Sequence, residues 1–286
     1  MKYLRYWSYH LNDTDMDKKL RILFVTSEID PFLKMSSAAD LIRLLPQKLQ
    51  EKGHEIRIFM PKFGVINERR NRLHEVVRLS GINIRVAGEE KPLTIKVASI
   101  PNAKLQVYFL DNEDYFKRKS VLTDPKSDTF HGDNDERSIF FCKGVIETVK
   151  KLGWPPDIIH CHDWMTSFLP LYLRTNYKED PMFKNTKLVF TVYNNGFESE
   201  LDNNYLDKVR IDGITDETLD NFAGNNYVGV CKGGIALSDV VTKGHPEIDA
   251  SLQEYIAQKQ EEIYFDTTDK ELYVEGYNKL YTEITA

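Results

Sequence analysis

Residues 157–166 read DIIHCHDWMT. Two imidazoles, a thiol, a carboxylate and an indole occupy five consecutive positions there. On a strand, side chains alternate between faces, so His160 and His162 project to one side and Cys161 and Asp163 to the other. A zinc-type centre would need a further ligand on the His160 face. The sequence offers none at ligand spacing, so no metal site is expected and His160 reads as a hydrogen-bonded core histidine. Asp163 and Trp164 fall where the strand gives way to a helix. Asp163 can cap that helix or serve a site, and Trp164 can be core or a sugar-stacking surface. A second stretch, SEIDPFLKMSSAAD (27–40), joins a strand to a helix N-terminus, a natural place for a phosphate. It lacks the glycines that let a ligand approach the backbone, and Ser36 and Ser37 read as an N-cap pair. A third, KGG at 232–234, is weak by itself, since paired glycines in apolar helices often mark close packing.

The flanking elements alternate. RILFVTSE (21–28) is an apolar run of the buried parallel-strand type. In AADLIRLLPQKLQEKG (38–53), Leu41, Leu44, Leu45 and Leu49 recur at helical spacing and Gly53 closes the helix. HEIRIFMPK (54–62) completes a right-handed strand–helix–strand unit. Residues 73–110 hold short strand-like runs broken by Gly, Pro or Asn, which predict hairpins or a mixed sheet edge. Residues 120–134 are polar and predict a mobile loop. ERSIFFCKGVIETVKKL (136–152) predicts a helix, N-capped by Asp133 or Asn134 and ending in Lys150 and Lys151, favourable against the helix dipole. DIIHCH and KLVFTVY (187–193) predict strands, with a helix interrupted by Pro170 between them. Residues 198–226 look like an excursion outside the core. VGVCKGGIALSD (228–239) predicts a helix and DVVTKG a strand, followed by helix, strand (EIYFD) and helix. The whole predicts a doubly wound, mainly parallel α/β sheet, whose ligands bind beyond the carboxyl ends of the strands. The loops there are 26–37, 162–166 and 193–197.

Composition narrows the function classes. The chain has 286 residues, 41% hydrophobic and 29% charged, with a net charge of −6. That fits a well-cored globular protein, and the scattered Lys and Arg leave no nucleic-acid footprint. No apolar run reaches the roughly 20 residues of a membrane span, and MKYLRYWSYHLNDTDMDKK lacks the apolar core of a secretory leader. Three cysteines without a close pair fit a reducing cytoplasm. Residues 1–19 read as a polar tail and 20–286 as one domain.

Taken in order, ILFVTSEIDPFLK, LPQKLQEKGHEIRIFMPKFGVIN, DNDERSIFFCKGVIETVKKLGWPPDIIHCHDW, KLVFTVYN and KGGIALSDVVTKG resemble the N-terminal half of bacterial glycogen and starch synthases. These are retaining glycosyltransferases of the GT-B architecture, in which two Rossmann-like halves face each other across a cleft. The resemblance implies that this half mainly holds the glucan acceptor, while ADP-glucose, the possible donor substrate, binds the other half. It implies no further cofactor. The family's K-x-G-G-L-x-D appears as KMSSAAD, keeping Lys34 and Asp40 but placing Ser36 and Ser37 at the glycines. T-V-H-N becomes TVYN, with Tyr193 for a histidine and Asn194 kept. H-D-W-H becomes HDWM, keeping His162, Asp163 and Trp164 with Met165 fourth. The implied substrate-binding set is therefore Lys34, Asp40, His162, Asp163, Trp164 and Asn194. Asp163 and Tyr193 stand at the family's catalytic positions, though neither is assigned a catalytic role.

The resemblance further implies a single GT-B half without its donor-binding counterpart, closed by a returning helix over 269–285. Leu272, Tyr273, Tyr277, Leu280 and Tyr281 would form that helix's apolar stripe. The leading functional expectation is a glucan-binding or regulatory domain of α-glucan metabolism, weakly active or inactive alone. A transferase completed by a partner chain, and an interaction module keeping only the fold, are the alternatives. Expected partners are an α-glucan or maltooligosaccharide, and a protein partner or second copy over the exposed cleft face.

Overall fold

The computed structural model describes residues 18–286; the tail expected at 1–19 falls, up to residue 17, outside the described residues. In chain order the elements begin with β1 (Arg21–Val25), α1 (Ala38–Glu51), β2 (Glu55–Pro61), α2 (Glu68–Asn71), β3 (His74–Glu75), β4 (Ile82–Val86), β5 (Glu89–Ser99) and β6 (Gln106–Asp111). Then follow α3 (Glu113–Phe116), β7 (Thr123–Asp124), β8 (Thr129–Phe130), α4 (Asn134–Leu152), β9 (Ile158–His162), a 3-10 turn (Trp164–Thr166), α5 (Phe168–Arg174) and β10 (Lys187–Val192). The chain ends with α6 (Tyr205–Val209), α7 (Asp216–Leu219), α8 (Tyr227–Ala236), β11 (Val240–Lys243), α9 (Ala250–Lys259) and α10 (Lys270–Thr285).

Most strands join one sheet in the order β11-β10-β9-β1-β2-β6-β5-β3, with β4 on β5. The run from β11 to β6 is parallel, and β5, β3 and β4 are antiparallel. This is the mainly parallel α/β sheet expected, with the mixed edge at 73–110. The β4–β5 hairpin turns on Ala87 and Gly88, both at positive φ (49° and 85°), as a two-residue turn between right-twisted strands requires. Strands β1, β9 and β10 are buried almost throughout, which is why they read as continuous apolar runs rather than alternating ones.

Several expectations change. The first strand stops at Val25, releasing Ser27 and Glu28 into the loop. Residues 120–134 are not loose: β7 and β8 pair, and side chains of α4 hold the neighbouring carbonyls, Asn134 Nδ2 bonding Leu122 O at 2.9 Å. Pro170 does not interrupt a helix. It falls in the first turn of α5, where its missing N–H has no intrahelical partner to lose. The stretch 198–226 belongs to the core, because α6, α7 and the turn after it bury Tyr205, Val209, Leu219 and Phe222. EIYFD makes only an isolated bridge, Lys243 to Tyr264. The glycine pair in α8 does mark close packing: a Cβ on Gly233 would lie 2.1 Å from the Phe222 ring.

Helix α10 lies against α1 and the sheet. Asp269 caps it, accepting from Glu271 N and Leu272 N at 3.0 Å each. Tyr273, Val274, Tyr277, Leu280 and Tyr281 are buried, but Leu272 is 67% exposed and drops out of the expected stripe. Each buried side chain contributes about 1.5–3 kcal/mol before ordering entropy is set against it. Polar contacts fix the helix in register. Tyr281 Oη pairs with His160 Nδ1 at 2.6 Å, and Asn278 Oδ1 with His54 Nε2 at 2.8 Å. Removing the Tyr281 hydroxyl leaves that imidazole nitrogen unpaired in a dry interior. Tyr281→Phe is therefore expected to cost about 1–3 kcal/mol, read as a lower urea midpoint at unchanged m-value. A shift under about 0.5 kcal/mol, the range of neutral surface changes, would show that the contact does not hold the helix.

Candidate functional site

Strands β1, β2 and β6 run one way from the centre and β9, β10 and β11 the other. The sequence order therefore reverses between β1 and β9, the switch point beyond whose carboxyl ends ligands of such sheets bind. The loops after β1, β9 and β10 meet there.

The first loop turns back on itself around Glu28, a fully buried carboxylate. Its Oε2 accepts the backbone N–H groups of Met35 (2.7 Å) and Ser36 (2.8 Å), and its Oε1 accepts the Ser36 hydroxyl at 2.6 Å. Successive N–H groups aimed at one point form an anion-binding concavity. Here the chain's own glutamate fills it. Ser36 Oγ also accepts Ala38 N–H at 3.1 Å, so it takes the capping role expected of the serine pair, while Ser37, at the N-cap position, makes no side-chain cap bond.

Asp163 follows β9 with φ 66° and ψ 176°, a region essentially reserved for glycine. The turn is held by its own side chain: Oδ1 accepts Met165 N–H at 2.9 Å and Oδ2 accepts the Ser27 hydroxyl. Asp163 thus caps the 3-10 turn and also ties the β9 loop to the β1 loop. Burial pushes its carboxyl up to about 7, against the two hydrogen bonds that favour the charged form.

His160 and His162 share a face, as the alternation predicts, with ring centroids 3.9 Å apart. His160 is satisfied at both nitrogens, by Tyr281 Oη and by Thr191 Oγ1 at 2.6 Å. His162 Nδ1 pairs with Tyr193 Oη at 2.8 Å, and its Nε2 is buried without a partner. Burial lowers the His162 imidazole to about 3 and holds His160 well below its ordinary value, so both rings are neutral. Among the described residues no group of three His, Cys, Asp or Glu is placed to hold a metal.

The other candidate residues divide. Lys34 and Asp40 pair with each other at 2.6 Å, both about half exposed, and that hydrogen bond raises the Lys34 pKa. Asp40 opens onto a groove of about 580 Å³ that also includes Arg43, His245 and Lys270. Asn194 is exposed. Trp164 is only 2% exposed and offers no stacking face, because Phe197 packs edge-on against it with centroids 4.8 Å apart. Phe197 in turn stacks on Phe130 at 4.8 Å. These two half-buried rings are the aromatic surface at the crest, with Asn195 Oδ1 buried and unpartnered two residues before Phe197. Sequence reasoning passed over Ser27, Glu28, Phe130, Phe197 and Asn195. Only Glu28, a carboxylate at a buried strand's end, carried a signal.

The sequence model of the starch synthase catalytic domain family matches residues 21–263. The chain belongs to that family. The glycogen synthase of Chlorobium phaeobacteroides is 46% identical over 177 residues, covering 62% of this chain and 36% of that protein. The glycogen synthase of Chlorobaculum parvum is 39% identical over 233 residues, 80% of this chain and 46% of that protein. The chain thus spans less than half the length of these curated relatives. The starch synthase IV catalytic domain of Arabidopsis thaliana, solved with ADP and acarbose, superposes over 86% of this chain and 51% of that one, with TM-score 0.68 and 21% identity. The family's fold is therefore the fold seen here, one half of the GT-B architecture.

The buried carboxyl of Asp163 makes a directional prediction. Its folded pKa, about 7, lies above the roughly 3.9 of an unfolded aspartate. The folded state therefore binds its proton more tightly. That contribution to stability is full below about pH 4 and is lost as pH rises through 7. Asp163→Asn should gain on the native protein across that window, by up to about 1.4 kcal/mol per pH unit. Urea titrations of both proteins from pH 4 to 7.5 check this, since the histidine contributions cancel in the difference. A flat difference would mean that Asp163 is ionised throughout.

Proposed function

We propose that this domain is the acceptor side of an α-glucan synthase system. It binds an α-glucan or maltooligosaccharide at the crest and does not, as residues 1–286 alone, transfer glucose from ADP-glucose. The observation that carries the second part is the Glu28 carboxylate seated on the Met35 and Ser36 N–H groups. Glucosyl transfer requires donors and positive charge aimed at the departing diphosphate. At this loop the available donors already serve an internal anion. Displacing Glu28 would strand a buried charge, at a cost of several kcal/mol. The cation of the loop, Lys34, is engaged by Asp40, and the Tyr193 phenol by His162.

Glucan binding is supported by family membership, by relatives named glycogen synthase, and by a structurally similar domain that holds ADP and acarbose. The site chemistry agrees. Phe130 and Phe197 give an apolar stacking surface, while Asn195 Oδ1 is an acceptor without a donor. Lys34, Asp40, His162, Asp163 and Asn194 form the surrounding polar frame. Within it His162 and Asp163 position the loops, and Lys34, Asp40 and Asn194 face the ligand.

Calorimetric titration with maltoheptaose and with ADP-glucose tests the reading. Saturable binding of maltoheptaose is expected, weakened about fivefold in Phe197→Ala by loss of about 1 kcal/mol of stacking. No heat is expected from ADP-glucose. Turnover of ADP-glucose onto glycogen within about 1–1000 per second would overturn the proposal. So would wild-type protein that ignores maltoheptaose while remaining folded.

A further inference from the structure

The opposite end of the sheet, where the parallel strands begin, carries a second concave feature. A pocket of about 330 Å³ is bounded by Arg57, Ser99, Lys104, Gln106, Tyr108 and Trp154. It is separated from the crest by the length of the strands, about 15–20 Å at about 3.3 Å per residue. None of the residues that meet at the crest reaches it.

Arg57 is the centre of this pocket. It lies on β2, diagonal to Tyr108 on β6, since Phe59 is the residue paired with Tyr108. Its guanidinium carbon is 5.5 Å from the Tyr108 ring centroid and 4.9 Å from that of Trp154. Trp154 is delivered by the turn at Gly153, where positive φ ends α4. Two aromatic faces attract and immobilise the cation, and Arg57 Nη1 donates to Tyr108 Oη at 2.5 Å. The side chain is thus held in one orientation instead of sampling solvent.

What this fixed cation faces is unusual. Among the described residues no carboxylate pairs with Arg57, and its hydrogen bond goes to a neutral phenol. The carboxylate in the lining, Glu55, is engaged by Arg21 Nε at 2.9 Å. Arg57 Nε and Trp154 Nε1 are both buried donors with no acceptor. Lys104, Gln106 and Ser99 add further donor groups around the rim. The pocket therefore sets two cations, Arg57 and Lys104, against one carboxylate that is already engaged, in a protein whose net charge is −6. A planar guanidinium with its fork pre-oriented is the side chain best matched to an oxyanion.

We infer that this pocket binds a phosphate group, free or as the monoester of a small hydroxylated molecule, with Arg57 as its principal donor. A monoester would place its hydroxyls against Ser99 and Gln106. Tyr108 and Trp154 act as positioning residues that hold the guanidinium. The inference is independent of what the crest binds.

The test follows the Trp154 indole N–H in ¹⁵N-labelled protein of residues 1–286, titrated with inorganic phosphate at constant ionic strength. Parallel arms use sodium chloride, a hexose monophosphate and neutral maltose. Phosphate is expected to shift the Trp154 resonance saturably, while chloride and maltose leave it in place and Trp164 stays still in every arm. Arg57→Lys keeps the charge but loses the fork, and should weaken phosphate about tenfold. Arg57→Met should abolish the shift, with thermal unfolding confirming that each variant is folded. Tighter binding of the hexose monophosphate than of phosphate would support an esterified ligand, and equal binding the free ion. An equal shift with chloride would overturn the inference. Arg57→Lys binding phosphate as well as the native protein, or a wild-type protein with no saturable response, would do the same.

Discussion

Two neutral imidazoles lying side by side in the central strand are the constraint on which the rest of this half-fold depends. His160 and His162 are sealed from solvent with rings 3.9 Å apart. Burial forbids either from carrying a charge, and adjacency would make a second charge costlier still. Each is therefore a neutral donor–acceptor, and hydroxyls are the groups suited to pair with it. Thr191 on β10 serves His160 from the next strand, and Tyr281 serves it from α10. The Thr191 hydroxyl continues to Thr242 on β11 at 2.6 Å, and Thr242 to Tyr277 at 3.0 Å. One polar thread thereby joins three neighbouring strands to the last helix of the chain. Apolar burial alone would hold α10 on the sheet, but these bonds fix its rotation and register.

The carboxylates at the ends of β1 and β9 obey a different logic, although both are buried. Asp163 accepts from one hydroxyl and one backbone N–H, too little to hold its charge against burial, so its pKa rises. Glu28 receives three donors, two of them adjacent backbone amides. Between them these residues shape the two loops that border the topological switch. Ser27 donates to Asp163, and Glu28, the next residue, gathers the loop that opens α1. Each loop is thus held by its own carboxylate and the Ser27–Asp163 bond ties the two together, so a ligand at the switch point meets an assembly already closed by internal bonds. Asp163 tolerates a glycine-like backbone because its own carboxylate holds the turn.

Much of the fold was legible because its signals are local. Apolar runs at 21–25, 158–162 and 187–192, helical spacing in 38–51 and the helix ending at 152 each follow from burial on one or two faces, although Asp133 stands at the N-cap of that helix without making the side-chain cap bond expected of it. The strand alternation placed His160 and His162 together correctly. The misreadings share a cause: they turn on contacts between segments far apart in sequence. Leu272 fits the helical period of its stripe but faces solvent, since Tyr277 and Tyr281 set the rotation of α10 through strand partners. Trp164 could be read as core or as a sugar-stacking surface, and Phe197 and Phe130, brought from two other loops, make it core. The 198–226 stretch has no period because its short helices each bury one or two residues, among them Tyr205 and Phe222, rather than a continuous face. Glu28 carried its chemistry openly, yet which amides it would meet depended on how the loop to Ser36 folds.

The tyrosine at 193 is the point where these requirements converge. A histidine there would bring a third imidazole to a buried pair that already leaves one nitrogen, His162 Nε2, without a partner. A phenol instead supplies one neutral hydroxyl to His162 Nδ1 and carries no basic nitrogen to desolvate. Its larger ring also needs room, and the neighbouring strand provides it. A Cβ on Gly244 would lie 2.1 Å from the Tyr193 ring, so the position just past β11 must lack a side chain for the tyrosine to lie as it does. Tyr193 and Gly244 therefore form a matched pair, one filling the space the other leaves open. With the phenol turned inward to His162 and its backbone carbonyl accepting from Tyr227 at 2.7 Å, residue 193 is built into the interior of the crest. The same close packing that fixes the tyrosine leaves Asn194 exposed and the ring of Phe197, further along, half-buried, so the outward side chains of this loop come from the residues after 193 and not from 193 itself.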